Sequence, residues 1–171
     1  AIKGGVIPGV FMPAVEKGVR QALADGIVAG YPVEDVKVTV YDGKTHPVDG
    51  KEIAFVSAAK KATIQAIRNA KPIVLEPIVT IEIAIPQSHI GDLAGDLSGR
   101  RGHVTGTGEK SHGMASLSGE VPLSEIADYQ SRLKSLTSGQ GSYSIEFARY
   151  AAVPAHIQQQ LASQFELQEE D

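Results

Sequence analysis

The chain has 171 residues, 42% of them hydrophobic, which is enough for the core of one large or two small domains and excludes wholesale disorder. It has no cysteine, which excludes disulfides, thiolate-bound zinc, iron–sulfur clusters and thiol catalysis, and fits a cytoplasmic protein. The net charge of −4 sits at the end of the chain: without Glu166, Glu169, Glu170 and Asp171, 16 basic side chains meet 16 acidic ones, a balance that argues against a protein coating DNA or RNA through bulk charge.

The chain opens on Ala1 rather than Met, which reads as a fragment or a processed product. Gly4 to Gly9 is a loop by composition. From Pro13 to about Asp25 a helix is predicted, with Val15, Val19, Ala22 and Leu23 on one face and Gly26 as its stop. Val36, Val38 and Val40 alternate with polar residues at the period of a half-buried strand, and Asp42-Gly43 signals a turn. A long helix follows from about Gly50 to Ala70. Its stripe of Phe55, Ala58, Ala59, Ala62 and Ala66 would allow close approach to a sheet, and Pro72 ends the segment.

Residues 78–85 give the clearest strand, with Val79, Ile81, Ile83 and Ile85 on one face; such runs are far too short to span a membrane. A helix at 88–97 ends at Ser98-Gly99-Arg100-Arg101-Gly102. Strands near 102–108 and 114–121 flank a loop at 109–113. A helix after Pro122 carries Ile126, Tyr129, Leu133 and Leu136, and Tyr143, Ile145 and Phe147 alternate in a last strand. Residues 78–149 thus read β-α-β-β-α-β, the ferredoxin-like order. A final helix from about Pro154 presents Ile157, Leu161 and Phe165. Residues 1–73 hold two amphipathic helices and one convincing strand, too little sheet to cover both helices, so further strands are expected before Ala1 and the helix within 150–171 is expected to return to this unit.

No catalytic constellation emerges. Gly106-Thr107-Gly108-Glu109-Lys110-Ser111 approaches a phosphate loop, but Glu109 interrupts the motif and a strand follows where a helix is needed, so a hairpin loop is expected and no nucleotide binding by this chain. The histidines, His46, His89, His103, His112 and His156, form no zinc motif, and no metal is expected. Asp92 and Asp96 stand one helical turn apart and read as a solvated face. Two features suit RNA. Arg100 and Arg101 lie in a glycine-flanked turn from which guanidiniums can reach phosphates, and the loop Tyr41 to Asp49 carries Lys44 and His46 at a stiff polar tip.

Several strings line up in order with one family. Ile7-Pro8 with Ala14-Val15-Glu16-Lys17-Gly18, Gly30-Tyr31-Pro32-Val33, Val36 to Gly43, Leu75-Glu76-Pro77-Ile78, Gly91-Asp92-Leu93 with Arg100-Arg101-Gly102, Val121 to Glu125, and Thr137 to Ser144 together resemble the carboxy-terminal part of elongation factor G. The resemblance runs from about Gly4 to Pro154. It implies an α+β chain: residues 1–73 as most of the fourth domain, like the second domain of ribosomal protein S5 with its left-handed βαβ crossover, and 74–149 as the ferredoxin-like fifth domain. The helix within 150–171 packs back on the first unit.

By the same resemblance, the intact factor is a GTPase that translocates tRNA and mRNA on the ribosome, with GTP and magnesium held in an amino-terminal domain outside this chain. The tip loop, Asp42, Gly43, Lys44, Thr45, His46, Pro47, Val48 and Asp49, would enter the small-subunit decoding region, with His46 at the tip-histidine position. The fifth domain would approach the large-subunit stalk base, making Arg100, Arg101 and Lys110 candidates for rRNA contact. Pro47 beside His46 and Gly50-Lys51 at the helix start depart from the translocase pattern, so a paralogue acting in ribosome recycling or ribosome protection is the alternative. A small stand-alone α+β enzyme using His and Asp residues is the reading from another class.

Overall fold

A computed structural model describes residues 7–45 and 51–165. The chain divides into two units: one reaches Val74 and resumes at Pro154, the other runs from Leu75 to Val153.

Unit 1 is built on two helices, α1 (Met12–Asp25) and α2 (Glu52–Asn69). Pro13 sits in the first turn of α1, where its missing N–H costs nothing. Phe11, just before α1, stacks on Phe55 with ring centroids 4.2 Å apart. The buried face of α1 is Ala14, Val15, Gly18 and Ala22, rotated from the expected valine face toward the smallest residues. Gly18 is the reason: a Cβ there would strike the Val56 carbonyl and come within 3.0 Å of the Ala59 Cβ, so the helices meet backbone to backbone. On α2 the buried positions are Val56 and Thr63, while Ala58, Ala62 and Ala66 face solvent. The alanine stripe expected to face a sheet is therefore not the packing face. An alanine loses little by exposure, whereas the notch at Gly18 dictates which side of α2 turns inward.

Residues 36–40 form no strand. The alternation is present, but Val36 and Val38 are 46% and 44% exposed, and no strand occurs among the described residues of unit 1. A strand exists only through a hydrogen-bonded neighbour. The left-handed crossover is accordingly not seen among these residues. The last helix, α5 (Ala155–Gln164), belongs to this unit: the Phe165 ring that follows it lies over Gly30, where a Cβ would come within 2.9 Å of it.

Unit 2 is a four-stranded antiparallel sheet with two helices. Its elements are β1 (Leu75–Pro86), α3 (Ile90–Gly99), β2 (His103–Glu109), β3 (Met114–Pro122), α4 (Tyr129–Leu136) and β4 (Ser142–Ala152), with strand order β2-β3-β1-β4. Val79, Ile81, Ile83 and Ile85 point to one face and pack with Leu93 and Leu97 of α3, Leu117 and Val121 of β3, and Tyr129 and Leu133 of α4. Each fully buried Ile or Leu contributes about 1.5–3 kcal/mol. β4 extends past the expected end at 149, because a register shift opposite Ile78 and Val79 lets pairing continue to Leu75 opposite Ala152.

Candidate functional site

The two stretches singled out for RNA contact have opposite geometry. In the first, Asp42 to Thr45 follow the 83% exposed Tyr41. The Asp42 carboxylate accepts a hydrogen bond from the Gly43 N–H at 2.7 Å, and Gly43 lies directly against the Ile7 side chain. Lys44 and Thr45 are exposed. His46, Pro47, Val48 and Asp49 lie outside the described residues.

In the second, Arg100 and Arg101 end α3. The N–H groups of Arg100 and Gly102 both donate to the Leu97 carbonyl, at 3.1 and 2.8 Å, closing the helix. Arg101 stands in the left-handed region with φ +58°, a place helix ends usually give to glycine. Its side chain explains why an arginine is kept there. Nη1 and Nη2 donate to both oxygens of Glu76 at 2.6 and 2.8 Å, and Nε donates to Glu125 at 2.7 Å. Arg100 donates through Nε to Asp96 at 3.0 Å and through Nη1 to the Glu125 carbonyl and the Asp128 carboxylate at 2.6 and 2.8 Å. Its guanidinium also lies 5.4 Å from the centre of the Tyr129 ring. Arg132 adds a bond to the other Asp96 oxygen at 2.8 Å.

Three guanidiniums thus face Glu76, Asp96, Glu125 and Asp128, and each cation is matched within its own unit. The hydrogen bond to Asp128, opposed by burial, raises the Arg100 pKa, and the same bond lowers that of Asp128. The bidentate bond to Glu76 raises the Arg101 pKa further. Arg100 and Arg101 are only 17% and 27% exposed. Their fork-shaped donors, suited to phosphate, are turned onto carboxylates. Asp96, expected on a solvated face beside Asp92, is instead 10% exposed between two arginines. Sequence reading could find the Asp96–Arg100 pair at helical spacing, but Glu76 and Glu125 stand 24 or 25 positions from Arg101 and come to it only through the fold.

Lys110 lies in the β2–β3 turn, 46% exposed, with its Nζ 3.6 Å from Glu82. The glycine-rich string Gly106 to Ser111 runs from strand β2 into this turn and on to β3, not into a helix, so no phosphate cradle forms at a helix start. Among the described residues no group of three or more His, Asp or Glu side chains is placed to hold a metal. No helix there is long and apolar enough to cross a membrane.

Sequence reasoning missed Gln158. Its Oε1 accepts from the Val74 N–H at 2.9 Å and its Nε2 donates to the Pro72 carbonyl at 3.2 Å. One of three consecutive glutamines, it carries no local signal that marks it.

Comparison with known proteins matches this architecture to one family. The family model for elongation factor G domain IV matches residues 1–71, and that for the elongation factor G C-terminus matches 73–161. An elongation factor G-like protein of Thermotoga maritima is 43% identical over 99% of this chain. A crystal structure of a protein from Thermus thermophilus superposes with a TM-score of 0.74 at 39% identity, covering 95% of this chain. The chain spans about a quarter of the length of each, 25% and 24%. By both family models and by identity along nearly its whole length, the chain belongs to the elongation factor G family, within which it corresponds to domain IV and the carboxy-terminal part.

Proposed function

We propose that this chain is the ribosome-engaging part of a translation factor, and that its loop Asp42 to Asp49 enters the small-subunit decoding region to hold tRNA and mRNA in their advanced position. One observation carries this reading: Asp42, Lys44 and Thr45 of the loop are exposed, while helices α1 and α2 of the same unit meet at Gly18 with no room for a methyl group. A polar tip on an incompressible base suits a wedge, which biases a two-state equilibrium by filling one state's space. No bond is made or broken by these residues. GTP hydrolysis, with its magnesium, is assigned to a portion of the factor outside this chain; the Gly106 to Ser111 string does not have the form of a nucleotide site. In unit 2, near the large-subunit stalk base, Lys110 is the candidate for direct rRNA contact, and Arg100 and Arg101 would support that contact by fixing the turn they close.

In a factor carrying this chain, His46→Ala is expected to slow translocation by about tenfold, roughly 1.4 kcal/mol of activation free energy, while ribosome-stimulated GTP hydrolysis stays near its parent rate. Equal loss of both activities would contradict the wedge. The second reading, ribosome recycling or protection, is favoured by Pro47 beside His46. Under it, His46→Ala would leave translocation unchanged and slow subunit splitting or drug release.

A further inference from the structure

The chain leaves unit 1 after Val74 and re-enters it at Pro154. Both passages are fastened within their own units. In unit 2, Leu75 stands opposite Ala152 in the β1–β4 ladder. In unit 1, a single side chain does the equivalent: Gln158 takes the Val74 N–H and gives a hydrogen to the Pro72 carbonyl.

Glutamine suits this task because its amide offers one acceptor and two donors in one plane, the set that a neighbouring strand's peptides would present. Among the described residues of unit 1 the segment Pro72–Val74 has no strand neighbour, and Val74 is buried at 7% exposure, so its N–H would otherwise lack water. On the same helix Gln159 and Gln160 are exposed, and neither bonds to the Pro72–Val74 segment.

We propose that Gln158 is a positioning residue, a latch that ties the outgoing segment Pro72–Val74 to the returning helix α5. A load taken up by the loop of unit 1 then passes along two fastened backbones instead of one. The mechanical half of this inference rests on the wedge reading above; the latch itself does not.

Two readouts test it. In the 171-residue protein, Gln158→Leu is expected to speed hydrogen exchange of the Val74 amide at least about tenfold, with the amides of Ile81 and Ile83 unchanged. Gln158→Glu keeps the acceptor and loses the donor, so it should retain most of the Val74 protection; Gln158→Ala, which loses both, serves if the leucine variant fails to fold. Gln159→Leu should change nothing. Unchanged Val74 exchange in Gln158→Leu, or in Gln158→Ala should the leucine variant not fold, would overturn the latch; so would Val74 protection lost as fully in Gln158→Glu as in the variant without an acceptor. In a factor carrying this chain, Gln158→Leu should slow translocation several-fold and Gln158→Glu should restore most of the rate. Lost Val74 protection with full translocation, where His46→Ala is slow, would overturn the mechanical half. Lost protection alongside a His46→Ala that leaves translocation unchanged would overturn the wedge reading and leave the latch standing.

Discussion

The loop after Tyr41 and the turn at Arg100–Gly102 are both polar connections with glycine and basic residues, and they end in opposite states. Lys44 stands exposed, three positions after the exposed Tyr41. Arg100 and Arg101 are locked onto four acidic residues of their own unit. The difference teaches that a basic residue in a sequence is not yet a basic surface. What decides is whether the fold brings carboxylates to it, and for Arg101 the carboxylates come from β1 and from the turn before α4.

Breaking the arginine side of the comparison should give the largest effect. Arg101→Ala leaves Glu76, 11% exposed, without its bidentate partner, and about 2–3 kcal/mol of unit 2 stability should be lost. Denaturant unfolding followed by circular dichroism measures it, and Arg101→Lys should recover less than half, because an ammonium cannot reproduce the fork. A loss below about 0.5 kcal/mol, the range of an exposed ion pair, would mean that the network is ornamental.

Unit 1 has its own breaking point. Gly18→Ala forces a methyl into the Val56 carbonyl and should cost about 1–3 kcal/mol, while hydrogen exchange in the unit 2 sheet stays unchanged. A tolerated alanine would show that the helix pair can slide apart, and would weaken the case for a stiff base under the loop.

A smaller effect should run in the opposite direction. Tyr129 is fully buried, its ring meets Tyr143 edge-on at 5.3 Å, and its hydroxyl has no hydrogen-bond partner among the described residues. Tyr129→Phe should therefore stabilise unit 2 by about 1 kcal/mol. Burial pushes the phenol pKa up from 10.0 to about 12. A raised pKa in the folded state means stability that is complete below pH 10 and is lost as pH rises through about 12. The phenylalanine variant should lack that part of the alkaline loss, as thermal unfolding at about pH 8 and about pH 11, on either side of the unfolded phenol's pKa, would reveal. Lys110→Ala, at a half-exposed surface pair, should change stability least.

Much of unit 2 was legible because its signals are local. The alternation from Val79 to Ile85 marks a strand whichever neighbours it finds, and the turn residues at 109–113 separate β2 from β3. Unit 1 was less legible because its decisive features are relational. The Val36–Val40 alternation needs a partner strand to become a strand, and the alanine stripe of α2 was outweighed by one glycine on α1. Of the candidate sites, position was readable and availability was not. Arg100, Arg101 and Lys110 occupy the expected turns, but only the fold reveals which guanidiniums are already engaged.

The claim that the loop makes the contact while the arginine pair supports the turn is tested most directly by the salt dependence of ribosome affinity. For a factor carrying this chain, Lys44→Ala should lower the slope of log affinity against log salt by about one, and Arg101→Gln, assayed below its unfolding temperature, should leave the slope unchanged. A slope lowered by Arg101→Gln and untouched by Lys44→Ala would contradict the account.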